Sequence, residues 1–450
     1  MTSGLRRIHG GVGRPILRVA MVMLIAGVVS GRASADDMVL KWNEIAARTA
    51  AQSTNPFNQA RIMAITQLAV FEAVNAVTGD YEPYLATPTA ASPGASADAA
   101  VITAAHKVLT NYFTTPATVA LLDAARDADL LAIPNGAAKT DGIALGLAAA
   151  NALIALRQNS SGVATDGSAT PPLTIVPTST VPADYQLTTG CAASVFYNWP
   201  NVTPFAIRSP ADFLLPPPPA LDSQRYTKDY YEVHTMGAAN SADRPPNRSD
   251  NSRLYAGTSP NFALSMATRQ IATAKGLSMS ENARALALIM MGINDSLIAS
   301  FYNKYHYNLW RPETGIRNGV SDDNGKTDGD TGFTTFISTP CFPSYPSNHA
   351  SGTNGGLEVM RRLFGAAGHD ITITNTVPAL PAGCTAGSPG CLPAATMTQH
   401  YTQLQKIADD VDDARVYGGI HWRFDQVAGN DLGRAVGTEV AKNHLRPIHP

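Results

Sequence analysis

Phe342-Pro343-Ser344-Tyr345-Pro346-Ser347-Asn348-His349 is the stretch from which the rest of the chain can be read. Its two prolines, Pro343 and Pro346, bracket Ser344 and Tyr345. At Ser347 a helical pattern begins, with Ala350, Leu357, Val359, Met360 and Leu363 recurring at helical spacing. Serine and asparagine are helix-start residues. The first turn of a helix has N–H groups with no intrahelical partner and a partial positive charge, so it attracts anions. A hydroxyl, Ser347, and an imidazole, His349, sit on that turn. Two other stretches supply cations and a second histidine, and the three together read as an oxyanion site.

Outward from this stretch the chain reads as helices. Residues 60–77 carry Ile62, Ile65, Leu68, Ala69, Ala73 and Ala76 on one face, with Gly79 as the stop. Further helices are expected over 97–113, 116–131 and 137–157. Ser259 and Pro260 open another, which runs to Lys275. Ser278 and Glu281 form a capping-box pattern that opens a long helix toward Lys304. Helices over 400–417 and 424–443 close the chain. Residues 318–335 and 366–397 read as loops, the second with room for a short hairpin at 371–377. The fold class is therefore all-α, a helical bundle with long Pro/Gly-rich loops. One domain is expected over 36–450. It would have N-terminal helices to residue 160, a loop-rich wrap over 161–258 pinned by Trp199, Phe205 and Phe213, and a C-terminal bundle over 259–450.

Residues 1–35 read as a secretory leader: basic at Arg6, Arg7, Arg14 and Arg18, apolar from Val19 to Val29, and ending in Ala33-Ser34-Ala35. A membrane anchor is the alternative, but the apolar run is short for a span. No later segment is read as apolar enough to cross a bilayer. A periplasmic or secreted location follows from the leader. The chain has 33 basic and 35 acidic residues; without the five arginines of the leader the balance is −7, which argues against a nucleic-acid partner. The four cysteines suit disulfides in an exported protein. Cys384 and Cys391 flank a Gly/Pro-rich loop and are the expected pair, leaving Cys191 with Cys341. No Cys/His spacing suggests zinc.

The chemistry sits in three stretches. Lys304 and Arg311 lie seven apart and would share a helix face, roughly 10 Å apart along the axis, with Pro312 pushing Arg311 toward extended backbone. Arginine suits a tetrahedral oxyanion through its forked donors, and lysine through a compact charge. Ser347, the Asn348 N–H and His349 supply donors and a proton-transfer group. Gly418-Gly419 should end the helix carrying Arg415, so that His421 enters from a new direction, and Asp425 can fix its tautomer. Taken singly, each stretch also reads as an ordinary solvated face, a capped helix start or a helix stop.

In order, they spell Lys-x6-Arg-Pro, Pro-Ser-x-His and Arg-x5-His-x3-Asp. This resembles the signature of the vanadium-dependent haloperoxidase and type 2 phosphatidic-acid phosphatase superfamily. The resemblance covers about a quarter of the chain. It implies that Lys304, Arg311 and Arg415 neutralise the oxygens of vanadate or phosphate, with Ser347 and the Asn348 N–H adding hydrogen bonds. His421 would be the metal ligand or, in a phosphatase, the nucleophile, and His349 the acid–base residue. Asn348 departs from the glycine usual in the family. It keeps the N–H donor but brings a side chain to the apical side.

The resemblance further implies a haloperoxidase-like enzyme that uses hydrogen peroxide, a halide and, where one is used, an organic acceptor; the sequence leaves an oligomer open. Lys304 would polarise the peroxide, and Phe342 would stand near the halide. The Phe-Pro-x-Tyr-Pro-Ser run and the chain length favour this over the alternatives. Those are a secreted acid phosphatase working through a histidine nucleophile and a relative that has lost turnover.

Overall fold

The computed structural model describes residues 37–448 apart from 170, 383, 385–387 and 389. The expected leader lies outside these residues. The described chain begins with α1 (Met38–Ala50), capped by Asp37, whose carboxylate accepts from two first-turn N–H groups. Then follow α2 (Pro56–Thr78), α3 (Ala97–Tyr112), α4 (Pro116–Leu131) and α5 (Ala137–Ala155). These match the expected helices to within a few residues, and Gly79 ends α2 at φ +70°. Strands β1 (Thr174–Ile175) and β2 (Ser194–Val195) form a small antiparallel pair. The wrap also holds α6 (Gln224–Met236) and α7 (Pro246–Gly257), fuller helices than its Pro/Ser-rich composition predicts. Trp199 and Phe205 are buried against the main core, as expected, and Phe213 is half-buried there.

The C-terminal half comprises α8 (Pro260–Lys275), α9 (Met279–Tyr307), the short α10 (Pro312–Arg317), α11 (Asn348–Phe364), α12 (Leu404–Val416) and α13 (Arg423–Asn443). Both hydrogen bonds of the Ser278–Glu281 capping box form at the start of α9. Helix α9 packs on α2 on one side and on α11 and α13 on another, so one hydrophobic core runs through both halves. By length and composition α2 and α9 could each cross a membrane, contrary to the sequence reading. However, 89% and 94% of their apolar windows are buried inside this fold.

Three expectations are corrected. Residues 366–397 are not a loop with a short hairpin, and 400–403 are not helical. Strand β3 (Ala367–Val377) pairs antiparallel with β4 (Ala395–Gln403) along most of their length. Alternation explains it. Ile371 and Ile373 are buried on one face. Thr374 and Thr376 pair with Thr398 and Thr396 on the other, a cross-strand pattern that β-branched residues favour. Lys304 and Arg311 also do not share a helix. Asn308, at φ +47°, ends α9 after Tyr307, and Arg311 is extended ahead of Pro312, as that proline requires.

Close backbone crossings seat α11. A Cβ on Gly355 would lie 2.2 Å from Ser296 Oγ and 2.4 Å from the Gly292 carbonyl of α9. One on Gly433 of α13 would lie 2.3 Å from the Ser351 carbonyl of α11. The absence of side chains lets the three helices touch, which fixes the N-terminus of α11. Both expected disulfides form, Cys191–Cys341 and Cys384–Cys391, the first tying the wrap to the segment that leads into Phe342.

Candidate active site

The three motif stretches converge. The end of α9 supplies Lys304, the extended link ahead of α10 supplies Arg311, and the first turn of α11 supplies Ser347, Asn348 and His349. The last turn of α12 supplies Arg415, and the segment between α12 and α13 supplies His421. Gly419, at φ +83°, makes the turn after Arg415, as Gly418-Gly419 predicts. A cavity of about 680 Å³ opens here, with Asn348, His349, Arg415, His421 and Phe342 on its wall. Lys304, Arg311 and Ser347 stand behind that wall, fully buried.

His421 is held at both nitrogens. Its Nδ1 lies 2.7 Å from Asp425 Oδ2, which also accepts from Ser344 Oγ (2.6 Å) and from the Trp422 N–H. The carboxylate therefore keeps the proton on Nδ1 and leaves a lone pair on Nε2, which lies 3.0 Å from Arg311 Nη1. Asp425 is just inside α13 and His421 just outside it, so the tautomer is fixed by a helix start rather than within a continuous helix. Ser344 is a positioning residue that sequence reasoning passed over. It lies within the opening motif, but only the tertiary contact with Asp425 reveals it.

The cations are differently engaged. Arg311 donates from Nε to the Phe342 carbonyl (2.8 Å) and from Nη1 to the Ile420 carbonyl (2.9 Å). Its Nη2 is buried with no partner among the described residues. Arg415 donates only weakly, from Nη1 to the Tyr255 carbonyl (3.3 Å), and its buried Nε has no partner either. Asn348 presents its Oδ1 to Ser300 Oγ at 2.6 Å, which leaves the amide Nδ2 as a buried donor without an acceptor among the described residues. Ser347 caps α11 by accepting from the Ala350 N–H. Lys304 departs from its expected role. Its Nζ donates to the carbonyls of Pro343 (2.9 Å), Ser344 (2.7 Å) and Pro346 (2.6 Å), which uses all three N–H groups to hold the motif loop.

Burial sets the electrostatics. It pushes Arg311 down to about 10 and, with Arg311 nearby, Arg415 down to about 9. Burial and then Arg311 also drive the Lys304 pKa well below the usual lysine range. Three carbonyl acceptors still require three N–H donors, and only the ammonium form has them. Burial, followed by Arg311, Lys304 and Arg415, lowers His421 well below the ordinary imidazole value. Burial, Arg415 and Lys304 do the same to His349. Burial raises Asp425 to about 7 against the pull of Ser344 and the cations. Three cations thus face one carboxylate in a dry site. Such an excess, with orphaned N–H donors, is chemically suited to a multiply charged tetrahedral oxyanion.

Residues 284–450 match the family described as the VCPO second helical-bundle domain. That part of the chain therefore carries a helical-bundle domain of the vanadium chloroperoxidase kind. The vanadium chloroperoxidase of Curvularia inaequalis is 25% identical over 275 residues, which is 49% of this chain and 44% of that protein. The match thus spans less than half the length of that curated relative. A solved bacterial vanadium-dependent iodoperoxidase superposes with a TM-score of 0.69 at 20% identity, covering 91% of this chain and 98% of that one. A holo-type bacterial vanadium-dependent chloroperoxidase gives 0.65 at 17% identity, covering 88% and 94%. At these identities the solved structures establish a shared helical fold and nothing finer. The motif residues, most of them buried, lie in or beside the segment that the family match covers.

Proposed function

We propose that this site holds vanadate and that the protein is a haloperoxidase-type enzyme, oxidising a halide with hydrogen peroxide. The observation that carries the reading is the pairing of a charge excess with a prepared imidazole. Arg311, Arg415 and Lys304 face a single carboxylate, and Asp425 keeps Nε2 of His421 unprotonated, a lone pair that now meets Arg311 Nη1 and that a bound oxyanion's central atom would take over. The orphaned donors of Arg311, Arg415 and Asn348, with the first-turn N–H groups of α11, would hold the oxide oxygens. Bound vanadate would supply a Lewis-acid centre at fixed oxidation state that activates peroxide.

The chain's own residues do the rest. Lys304 keeps the Pro343–Pro346 backbone in place. His349, neutral near pH 7 and on the cavity wall, is placed to take a proton from incoming peroxide and return it to the leaving oxygen. Phe342 packs its ring 4.9 Å from the Arg311 guanidinium carbon and 5.3 Å from Lys304 Nζ, so it shields both cations from water. The two disulfides support export to an oxidising compartment.

The test is bromination of a phenol dye with peroxide, run with vanadate, without it, and after His421→Ala. Vanadate-dependent activity that disappears in His421→Ala is expected. Hydrolysis of p-nitrophenyl phosphate that vanadate inhibits, with no bromination, would reassign the pocket to a phosphatase with His421 as nucleophile.

A further inference from the structure

We propose that the cavity binds the organic acceptor itself, as an electron-rich aromatic ring bearing an anionic group. The inference rests on the haloperoxidase reading and names the substrate class of that same site. Size is the first argument. Peroxide and a halide ion need little more than one or two water-sized spaces of about 30 Å³, whereas this cavity measures about 680 Å³. That falls within the roughly 300–1,000 Å³ of pockets that enclose organic ligands.

The walls give the second argument. Phe57, Phe196 and Phe342 all line the cavity and pack edge-on against one another, with centroids 4.7 Å apart for Phe57–Phe196, 6.0 Å for Phe57–Phe342 and 6.2 Å for Phe196–Phe342. Edge-to-face contacts of this kind also suit a fourth ring. Phe196 holds its place at φ +65°, a backbone region costly for a bulky side chain and tolerated where a site demands it.

Charge is the third. Among the described residues the lining includes two arginines, Arg415 and Arg253, and no carboxylate, in a chain with more acidic than basic residues. Arg415 is taken up by the oxyanion site. Arg253 is a separate cation from α7, only 7% exposed. Its Nη2 holds the carbonyls of Pro378 and Pro393, and its buried Nε has no acceptor among the described residues. A carboxylate or phenolate on the substrate would complete it.

The overall reaction balances as follows. As the O–O bond of peroxide breaks, a proton from solvent and two electrons from the halide are taken up, one oxygen leaves as water and the other bonds the halogen. The ring carbon then forms the carbon–halogen bond as the halogen parts from that oxygen, which leaves as a second water with the displaced ring proton. A ring held beside Phe342 is halogenated before the oxidised halogen can diffuse away.

Competition between 4-hydroxybenzoate and phenol for bromination tests this, with the vanadate-loaded enzyme and reagent hypobromous acid compared at one pH. The enzyme should favour 4-hydroxybenzoate about tenfold more than the reagent does, the effect of one charge-assisted contact. Arg253→Gln should erase that preference, and Arg253→Lys should restore part of it. In parallel, calorimetric titration of the protein with 4-hydroxybenzoate, without peroxide, should show binding that Arg253→Gln weakens by a similar factor. A product ratio equal to that of the reagent, or a titration without binding, overturns the proposal. If neither phenol is brominated, the haloperoxidase reading fails, and the titration alone still decides whether the cavity takes aromatic acids.

Discussion

His421 Nδ1 and Asp425 Oδ2 stand 2.7 Å apart across the start of α13, and that contact decides which imidazole nitrogen faces the anion site. Asp425→Ala removes the acceptor and leaves Ser344 Oγ and the Trp422 N–H without their partner. Vanadate affinity should fall roughly 10–100-fold, the usual cost of losing a ligand's supporting carboxylate. Asp425→Asn retains an acceptor without the charge and should fall between. Fluorescence or calorimetric titration checks this, and wild-type affinity in Asp425→Ala would show that the tautomer is set elsewhere.

Lys304 ties three carbonyls of the motif loop. Lys304→Met should therefore act on folding as well as on the site. Three buried acceptors lose their donor, at about 1–3 kcal/mol for each that finds no water. A drop of at least about 3 kcal/mol in unfolding free energy is expected from urea denaturation. A variant with unchanged stability but lost activity would return Lys304 to direct contact with the substrate.

Asn348 offers a side-chain donor whose orientation Ser300 imposes. Asn348→Gly removes it while keeping the backbone N–H, and should weaken vanadate or phosphate binding about tenfold, the worth of one hydrogen bond to a charged group. Ser300→Ala frees the amide to rotate and should give a smaller loss in the same direction. Unaltered binding in both variants would mean that the carboxamide faces no anion.

Asp412 carries a pH dependence of stability. Burial raises its pKa to about 7, against a hydrogen bond from Asn430 Nδ2 (2.6 Å) and the charge of Arg423, with Asp413 and Asp409 adding to the rise. The unfolded group titrates near 3.9. Between about pH 4 and pH 7 the folded protein binds the extra proton, so stability falls as pH rises, by on the order of 2–4 kcal/mol in total. Asp412→Asn keeps an acceptor for Asn430 and removes the titration. Its Tm advantage over the wild type should grow between pH 5 and pH 8, and thermal melts at the two values check the sign.

Gly355 sits where α9 and α11 touch. Gly355→Ala places a methyl 2.2 Å from Ser296 Oγ and 2.4 Å from the Gly292 carbonyl, so the helices must part. Overpacking of this kind costs about 1–3 kcal/mol or more. The expected result is a lower Tm together with weaker oxyanion binding, because the first turn of α11 moves with its helix.

Much of this protein was determined by local sequence. Capping residues and prolines set most helix starts: Ser278 with Glu281, Ser347, Pro116 and Pro260. Gly79 and Gly419 set stops, because only positive φ lets the chain turn there. The motif residues were legible because each needs a specific chemical group. The strand at 395–403 was misread because alternating threonines give a weaker signal than helical periodicity, and pairing with β3 supplies the missing partner. Tertiary structure alone decided what each site residue does. Lys304 turned to backbone carbonyls, Ser344 joined Asp425, Ser300 turned the Asn348 amide, and Arg253 reached the cavity from a segment that reads as wrapping. These are contacts between residues 39 to 140 positions apart, where local pattern carries no information and close packing of α9, α11 and α13 sets the distances.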